Sequence, residues 1–481
     1  MPKASKHSLE IGRNRSSTPT TGKYLILPIA ACVYASILSP LILATCGHDD
    51  AKCLMESRPD NKIFWPAMAA ISAILAVRNR SRLGRLTWTP HIICLLAYLA
   101  FAGASVLWAF SLELSFIRSA QQVMIVTSIV LPAMLAARTA DMMRGLFLCF
   151  AFASILNVFF VIGRPPISYK YATWGYTGYF PGKNYLGEFA VVALLLSLHE
   201  ILYPGNRRVL GIIVAAIATL LLFVSNSKTS LGLALLSPFM AGLILVARKL
   251  MRISPAIIPI LIIVSYKALS TLFDFNINRL SYAIYGDSTF TGRTIIWDFV
   301  QKEIELKPLL GWGYQSFWLV GPGGPGLKAP GWVKTMPNAH NGYLDTMLEM
   351  GYVGLVLLVV FIIATLHAIG RVADRDPRRG WLVLSLGLFI IITNGLESFW
   401  MRGFEILWVV FLILVAEIAR YWQPLHPGDR LLRRQRFSLD PRRPGARPGF
   451  GQPAMRPNQH HQGMPRPRLH IDEQPTQGGT R

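Results

Sequence analysis

The stretch Gly351-Tyr-Val-Gly-Leu-Val-Leu-Leu-Val-Val-Phe-Ile-Ile-Ala-Thr-Leu-His-Ala-Ile-Gly370 decides the fold class, because no Asp, Glu, Lys or Arg interrupts it. A helix needs roughly 20 such residues to cross about 30 Å of hydrocarbon. This run has no polar stripe, so it suits lipid or the middle of a large bundle rather than a water-facing surface. Working outward, runs of the same kind recur near 24–46, 63–77, 90–110, 120–137, 143–163, 186–203, 208–224, 229–247, 256–273, 381–396 and 402–420. With 351–370 they make twelve predicted spans, an all-α integral membrane protein. The whole chain agrees, being 52% apolar and only 15% charged, with a mean hydropathy of +0.41, too apolar for an ordinary soluble surface.

The charge that remains is strongly basic, at +23. Its placement explains it. With the N terminus in the cytoplasm, Arg78, Arg80, Arg82 and Arg85, then Arg207 and Arg208, then Arg248, Lys249 and Arg252, then Arg371, Arg375, Arg378 and Arg379 all fall inside. This is the positive-inside pattern, and it puts both termini in the cytoplasm. The first apolar run is too long for a signal-peptide h-region and is expected to act as an uncleaved anchor. The five cysteines lack metal-ligand spacing, and nucleic-acid binding has no stacking platform or folded module in support. Cys46 and Cys53 flank a short polar outer segment where a small disulfide could close, whereas Cys32, Cys94 and Cys149 read as packing residues.

These features divide the chain into a basic cytoplasmic segment (1–23), nine spans (24–273), a large outward-facing loop (274–350), three spans (351–420) and a disordered basic tail (421–481). The loop is the anomaly, since connectors beyond about 15 residues are usually functional or disordered. It is expected to fold: Ile296, Phe299, Val300 and Ile304 lie at helical spacing on one apolar face. A Gly/Pro run from Gly321 to Gly326 reads as a hinge or lid.

His340 is the first candidate for chemistry. It follows Pro337-Asn338, a pattern that predicts a helix with Asn338 as N-cap and the imidazole in the first turn. Exposed N–H dipoles there disfavour a second ring proton, and a neutral imidazole can serve as general base. The plainer alternative is a loop histidine bonded to backbone. Arg293 follows Gly292 at the start of the amphipathic loop helix, where a guanidinium and helix N–H groups would converge on one anion. Lys228, in the tight outer connector Ser225-Asn-Ser-Lys-Thr-Ser, would hold a cation at the membrane surface. Lys183 and Arg164, in the second sizeable outer loop, are weaker candidates for the same role. For all four, a snorkelling interfacial cation is the competing reading. Asp374-Arg375-Asp376 has the carboxylate spacing of a metal–nucleotide-sugar site, but just before Pro377 it reads as a solvated turn.

Five segments in order, Gly182-Lys-Asn-Tyr-Leu-Gly, Ser225-Asn-Ser-Lys-Thr-Ser, Gly292-Arg-Thr-Ile-Ile-Trp, Pro308-Leu-Leu-Gly-Trp-Gly and Ala339-His-Asn-Gly-Tyr-Leu-Asp, resemble the O-antigen ligase and polymerase superfamily, and within it the ExoQ-type exopolysaccharide polymerases. The resemblance covers roughly 170–400. It implies a GT-C-like, metal-independent, cofactor-free glycosyltransferase of the bacterial inner membrane, working on undecaprenyl-diphosphate-linked glycans in the periplasm. It assigns the base to His340 and diphosphate contacts to Arg293 and Lys228. Where the family has a second arginine this chain has Lys228, which keeps the charge and loses the bidentate fork.

The implied activity is polymerisation of lipid-linked repeat units of an exported polysaccharide. The implied partners are the lipid-linked donor and acceptor, membrane lipids, a flippase and a chain-length regulator. A ligase moving glycan onto a lipid A core or protein would use the same residues. A transporter or flippase is the rival from another class, disfavoured because no internal repeat is evident and Lys267 is the only cation read inside a span. Trp297, Trp312, Trp318 and Trp332, with the tyrosines between Tyr169 and Tyr185, could stack on sugar rings or form an interfacial belt.

Overall fold

The computed structural model describes residues 20–45, 58–136, 141–164, 168–170, 174–203, 207–273, 292–403 and 405–423. The Cys46–Cys53 segment, the start of the large loop and the expected disordered tail beyond Gln423 lie outside them.

The protein is an all-α membrane protein, and every predicted span coincides with a described helix. Eight of these helices are long and apolar enough to cross a membrane: α1 (Gly22–Ala44), α3 (Pro90–Trp108, with α2 preceding it at Pro59–Arg78), α4 (Leu112–Leu135), α5 (Met142–Gly163), α6 (Lys183–Leu202), α7 (Arg208–Ser225), α8 (Lys228–Met251) and α11 (Gly342–Arg375). The other four are α2, which carries Asp60, Lys62 and Arg78, and three shorter helices: α9 (Ile257–Phe273), α12 (Pro377–Thr393) and α13 (Ile406–Trp422). The loop helix α10 (Arg293–Leu306) is the thirteenth. A short antiparallel ribbon pairs Tyr169–Lys170 with Gly175–Tyr176.

Helix α13 is buried on every side from Ile406 to Arg420 and forms the centre of the bundle. Helix α9 is its opposite, exposing Ile260, Leu261, Ile262, Ile263 and Val264, a face stable against lipid and not against water. Lys267 lies on this exposed helix and is not enclosed by protein. Inside the bundle, hydroxyls are satisfied locally: Ser154, Ser197, Thr365 and Thr393 each donate to a carbonyl one turn back. With no water at hand, that is the cheapest way to bury them. The Cys32 and Cys149 sulfurs pack 3.5 Å apart as free thiols.

One end of the bundle is a lattice of ion pairs: Arg207–Glu200 (2.6 Å), Arg248–Asp374 (2.7 Å), Arg379–Asp141 (3.1 Å) and Arg420–Glu417 (2.7 Å). Asp374 stays 60% exposed, but it lies in the last turn of α11 and is paired, not in a free turn. Asp374 holds Arg248, and Asp376 caps α12 by accepting from the Arg379 N–H at 3.0 Å.

The large loop sits at the other end and has its own core. Ile296, Phe299, Val300 and Ile304 of α10 are buried together with Phe317, Trp318, Val333 and Leu348, as their spacing predicted. The Gly/Pro run leads into the single turn Pro325–Lys328. The segment Pro308–Gly313 is laid against a break in α11. Trp312 N–H donates to Leu348 C=O (2.9 Å), Gly313 N–H to Glu349 C=O (2.8 Å) and Tyr352 N–H to Pro308 C=O (2.8 Å). The break falls at Gly351 (φ 63°), where a Cβ would lie 2.1 Å from the Leu309 carbonyl oxygen. Only glycine fits there. A loop helix thus runs from Gly342 to this break, and the span read from near 351 continues beyond it to Arg375.

Candidate active site

The first turn of α11 fixes His340. Its N-cap is Asn341, whose side chain accepts from the Tyr343 and Leu344 N–H groups at 3.1 and 3.2 Å, and not Asn338 as the sequence pattern predicted. Asn338 instead accepts the His340 N–H at 2.9 Å, closing a turn in which His340 takes φ 49°. The imidazole therefore precedes the helix and is not governed by its N–H dipoles. The strained turn is held from both sides. Ala339 N–H donates to both oxygens of Asp345 at 3.1 Å, and Trp297 Nε1 donates to the Ala339 carbonyl at 3.0 Å. Asp345 also accepts from Trp318 (2.9 Å) and Ser398 (2.5 Å).

The connector between α12 and α13 lies across this turn. Gly342 N–H donates to the Asn394 and Glu397 carbonyls at 2.8 and 2.9 Å. This brings the Glu397 carboxylate to His340, with Nδ1 2.9 Å from Oε2. Its other oxygen accepts from Arg293 Nη2 and, at 2.8 Å, from Asn184 Nδ2. The three charged side chains are shielded but not sealed, with 13% of Arg293, 14% of Glu397 and 32% of His340 exposed.

Burial opposes the Glu397 charge. The His340 hydrogen bond and the Arg293 and His340 charges outweigh it, so its carboxyl sits below the ordinary range. An ionised carboxylate only accepts hydrogen bonds, so Nδ1 must carry the proton it receives. In the neutral ring Nε2 is then left with its lone pair. That is the arrangement of a general base held in one tautomer by an acid partner.

The remaining candidates assemble from the neighbouring helix ends. Lys228 is the first residue of α8. Beside it, Ser227 Oγ donates to Asn184 Oδ1 at 3.3 Å, which links the Ser225–Ser230 connector through Asn184 to Glu397. Lys183, the first residue of α6, lies within electrostatic range of Lys228. Its stem runs against Gly175, where an added Cβ would sit 3.1 Å from Lys183 Cδ. Arg164 is not part of this assembly. It is exposed at the end of α5, apart from the cluster among the described residues.

Two acidic residues of the site were not singled out from sequence. Glu397 offers no local signal beyond being a carboxylate next to the predicted span 381–396. Glu188, on α6, is buried with Oε2 lacking a hydrogen-bond partner, within electrostatic range of Glu397, Glu405 and Arg293. Carboxylates this deep in an apolar chain are costly and mark functional sites.

The O-antigen ligase family model matches residues 213–359, a span that contains Lys228, Arg293 and His340. The exopolysaccharide production protein ExoQ of Rhizobium meliloti is 27% identical over 319 residues, covering 63% of this chain and 71% of ExoQ. The chain is thus similar to the O-antigen ligase family over residues 213–359. A second relative, named "Putative polysaccharide ligase", from Rickettsia felis, is 27% identical over 126 residues, covering 25% of this chain and 31% of that one. The family match stops at 359, so Glu397 lies beyond it.

Proposed function

We propose that the protein is an inverting glycosyltransferase that joins lipid-diphosphate-linked repeat units into an exported polysaccharide. The observation that carries this is the bridge of one carboxylate, Glu397, to both His340 and Arg293. It ties a base to a cation that would hold a phosphate leaving group. His340 Nε2 takes the proton of an acceptor hydroxyl as that oxygen bonds to the anomeric carbon of the donor sugar. The bond from that carbon to the diphosphate oxygen breaks with its electron pair, and the diphosphate leaves still attached to its lipid. Attack opposite the leaving group inverts the anomeric centre.

The charge that develops on the leaving oxygen meets the shielded Arg293, with the half-buried Lys183 and the exposed Lys228 beside it, and fixed cations stabilise such charge. Glu397 takes only part of the hydrogen-bonding capacity of Arg293, whose guanidinium carries five N–H donors. The architecture is GT-C-like with about twelve spans. The arginine-rich end of the bundle faces the cytoplasm and the site faces the periplasm of a bacterial inner membrane. Its partners there are undecaprenyl-diphosphate-linked donor and acceptor, a flippase that delivers them and a chain-length regulator. The polymerase reading is preferred to a ligase because the longest match is to an exopolysaccharide production protein.

The test is chain growth by purified protein in lipid nanodiscs supplied with undecaprenyl-diphosphate-linked repeat units. Wild type is expected to make ladders of increasing length, and His340→Ala and Arg293→Ala none. Ladders from His340→Ala at a rate near wild type would end the proposal.

A further inference from the structure

A cleft of about 110 Å³ opens beside the proposed base. Two of its lining residues border the site directly. Asn338 accepts the His340 N–H, and Tyr185 follows Asn184, the donor to Glu397. The floor is a set of planar polar groups that hold one another still. Arg118 donates to the Gln315 carbonyl, Gln315 N–H to Glu349 at 3.0 Å, Arg402 to Glu349 at 3.2 Å and Tyr185 to Glu405 at 3.3 Å. Phe180 and Trp318 supply aromatic walls, and Leu43 of α1 stands on the apolar side.

Charge separates this cleft from the diphosphate side. Its two arginines, Arg118 and Arg402, are matched by two carboxylates, Glu349 and Glu405, whereas the three cations Arg293, Lys228 and Lys183 outnumber the two carboxylates Glu397 and Glu188. A diphosphate belongs with the second group. Fixed guanidinium, amide and carboxylate groups beside aromatic faces suit a ring that offers paired hydroxyls on its edge and C–H bonds on its face.

We propose that this cleft is the acceptor subsite: it takes the terminal uncharged pyranose of the acceptor glycan and presents its hydroxyl to His340. The assignment rests on the glycosyl-transfer reading above.

The test uses the full protein in nanodiscs, with undecaprenyl-diphosphate-linked repeat unit as donor and the oligosaccharide freed from it by mild acid as soluble acceptor. Leu43→Trp, which narrows the cleft, and Arg118→Gln, which removes a donor from its floor, are each expected to raise the acceptor KM about tenfold and leave the donor KM within twofold. Lys228→Ala should do the reverse. Should Leu43→Trp fail to fold, Arg118→Gln carries the test alone. An otherwise identical acceptor bearing a carboxylate on its terminal ring should compete about tenfold less well. A raised donor KM, an unchanged acceptor KM or equal competition by the acidic acceptor overturns the assignment. If His340→Ala is inactive while both cleft variants keep the wild-type acceptor KM, only the cleft assignment fails. If His340→Ala is active, the underlying reading fails instead.

Discussion

Replacing Glu397 with glutamine removes one charge and almost no volume, so its effect isolates what the carboxylate does for His340. As the acceptor hydroxyl loses its proton, His340 becomes an imidazolium with Nδ1 2.9 Å from Glu397 Oε2. Charge centres about 4 Å apart attract by about 4 kcal/mol at an effective dielectric of 20. Both groups are partly exposed, 32% for His340 and 14% for Glu397, so screening reduces this to about 2–3 kcal/mol in the transition state. At 1.36 kcal/mol per tenfold, kcat should fall roughly 30- to 200-fold. A glutamine amide can also turn its NH₂ toward Nδ1 and reverse the tautomer, which pushes the loss toward the upper figure. The donor KM should stay level or fall, because Arg293 is relieved of a competing anion. The assay is initial-rate chain growth with donor concentration varied, beside Glu305→Gln on the exposed face of α10 as a control for charge loss. A Glu397→Gln enzyme with kcat within threefold of wild type would refute the reasoning. So would a large rise in donor KM at unchanged kcat, which would make Glu397 a substrate ligand instead.

Lys228→Ala should raise the donor KM about tenfold, the value of roughly 1.4 kcal/mol for one partly screened phosphate contact, while Lys228→Arg should match or improve on wild type; donor titration of both variants measures this. Arg164→Ala should leave both kcat and KM within twofold, because its side chain stands apart from the cluster, and a tenfold change would mean that the site closes differently around substrate. Gly351→Ala places a Cβ against the Leu309 carbonyl in a left-handed conformation, so it should cost about 3 kcal/mol or more and show as a lowered melting temperature or lost expression. Because the Glu397 carboxyl is held below its ordinary range, its stabilising contribution is present above about pH 4.3, the unperturbed glutamate value, and is lost as pH falls through the lower folded value. The gap in melting temperature between wild type and Glu397→Gln should therefore be constant from pH 7 to about pH 5 and shrink below about pH 4.3; a gap that widens on acidification would contradict the sign.

The spans were legible because lipid imposes a one-dimensional rule: the backbone must satisfy itself as helix, and the side chains around it must be apolar over a fixed length. The loop helix was legible for a related reason, since Ile296, Phe299, Val300 and Ile304 repeat on one face and that face is buried. Among the cations, Arg293 was read at the start of the loop helix, and Lys228 and Lys183 as charges in outer connectors. Arg293, Lys228 and Lys183 each open a helix, and a charge in that position stands out in an apolar chain. Arg164 ranked with Lys183 and ends a helix instead, and nothing local distinguishes those two. Glu397 escaped because its meaning is wholly tertiary. It lies 57 positions from His340 and 104 from Arg293, and by itself it resembles any carboxylate at a span end.

The helix cap shows the same limit at shorter range. Asn338 and Asn341 are both good N-cap residues, three positions apart, and local preference does not choose between them. The choice is made by what surrounds His340. Asp345, one turn inside α11, accepts the Ala339 N–H and thereby fixes the segment ahead of the helix. Gly342 N–H reaches the α12–α13 connector, and only a helix that starts there lets it do so. A start at Asn338 would carry His340 into the first turn and take its ring away from Glu397. The strained φ of His340 is thus the cost of aiming an imidazole at a carboxylate on another element. The buried network of Asp345, Ser398 and Trp318 is what holds it there. On this argument Asp345 is a positioning residue: Asp345→Asn should depress kcat more than donor KM, and a variant that melts at the wild-type temperature with unchanged kcat would show that the turn holds itself.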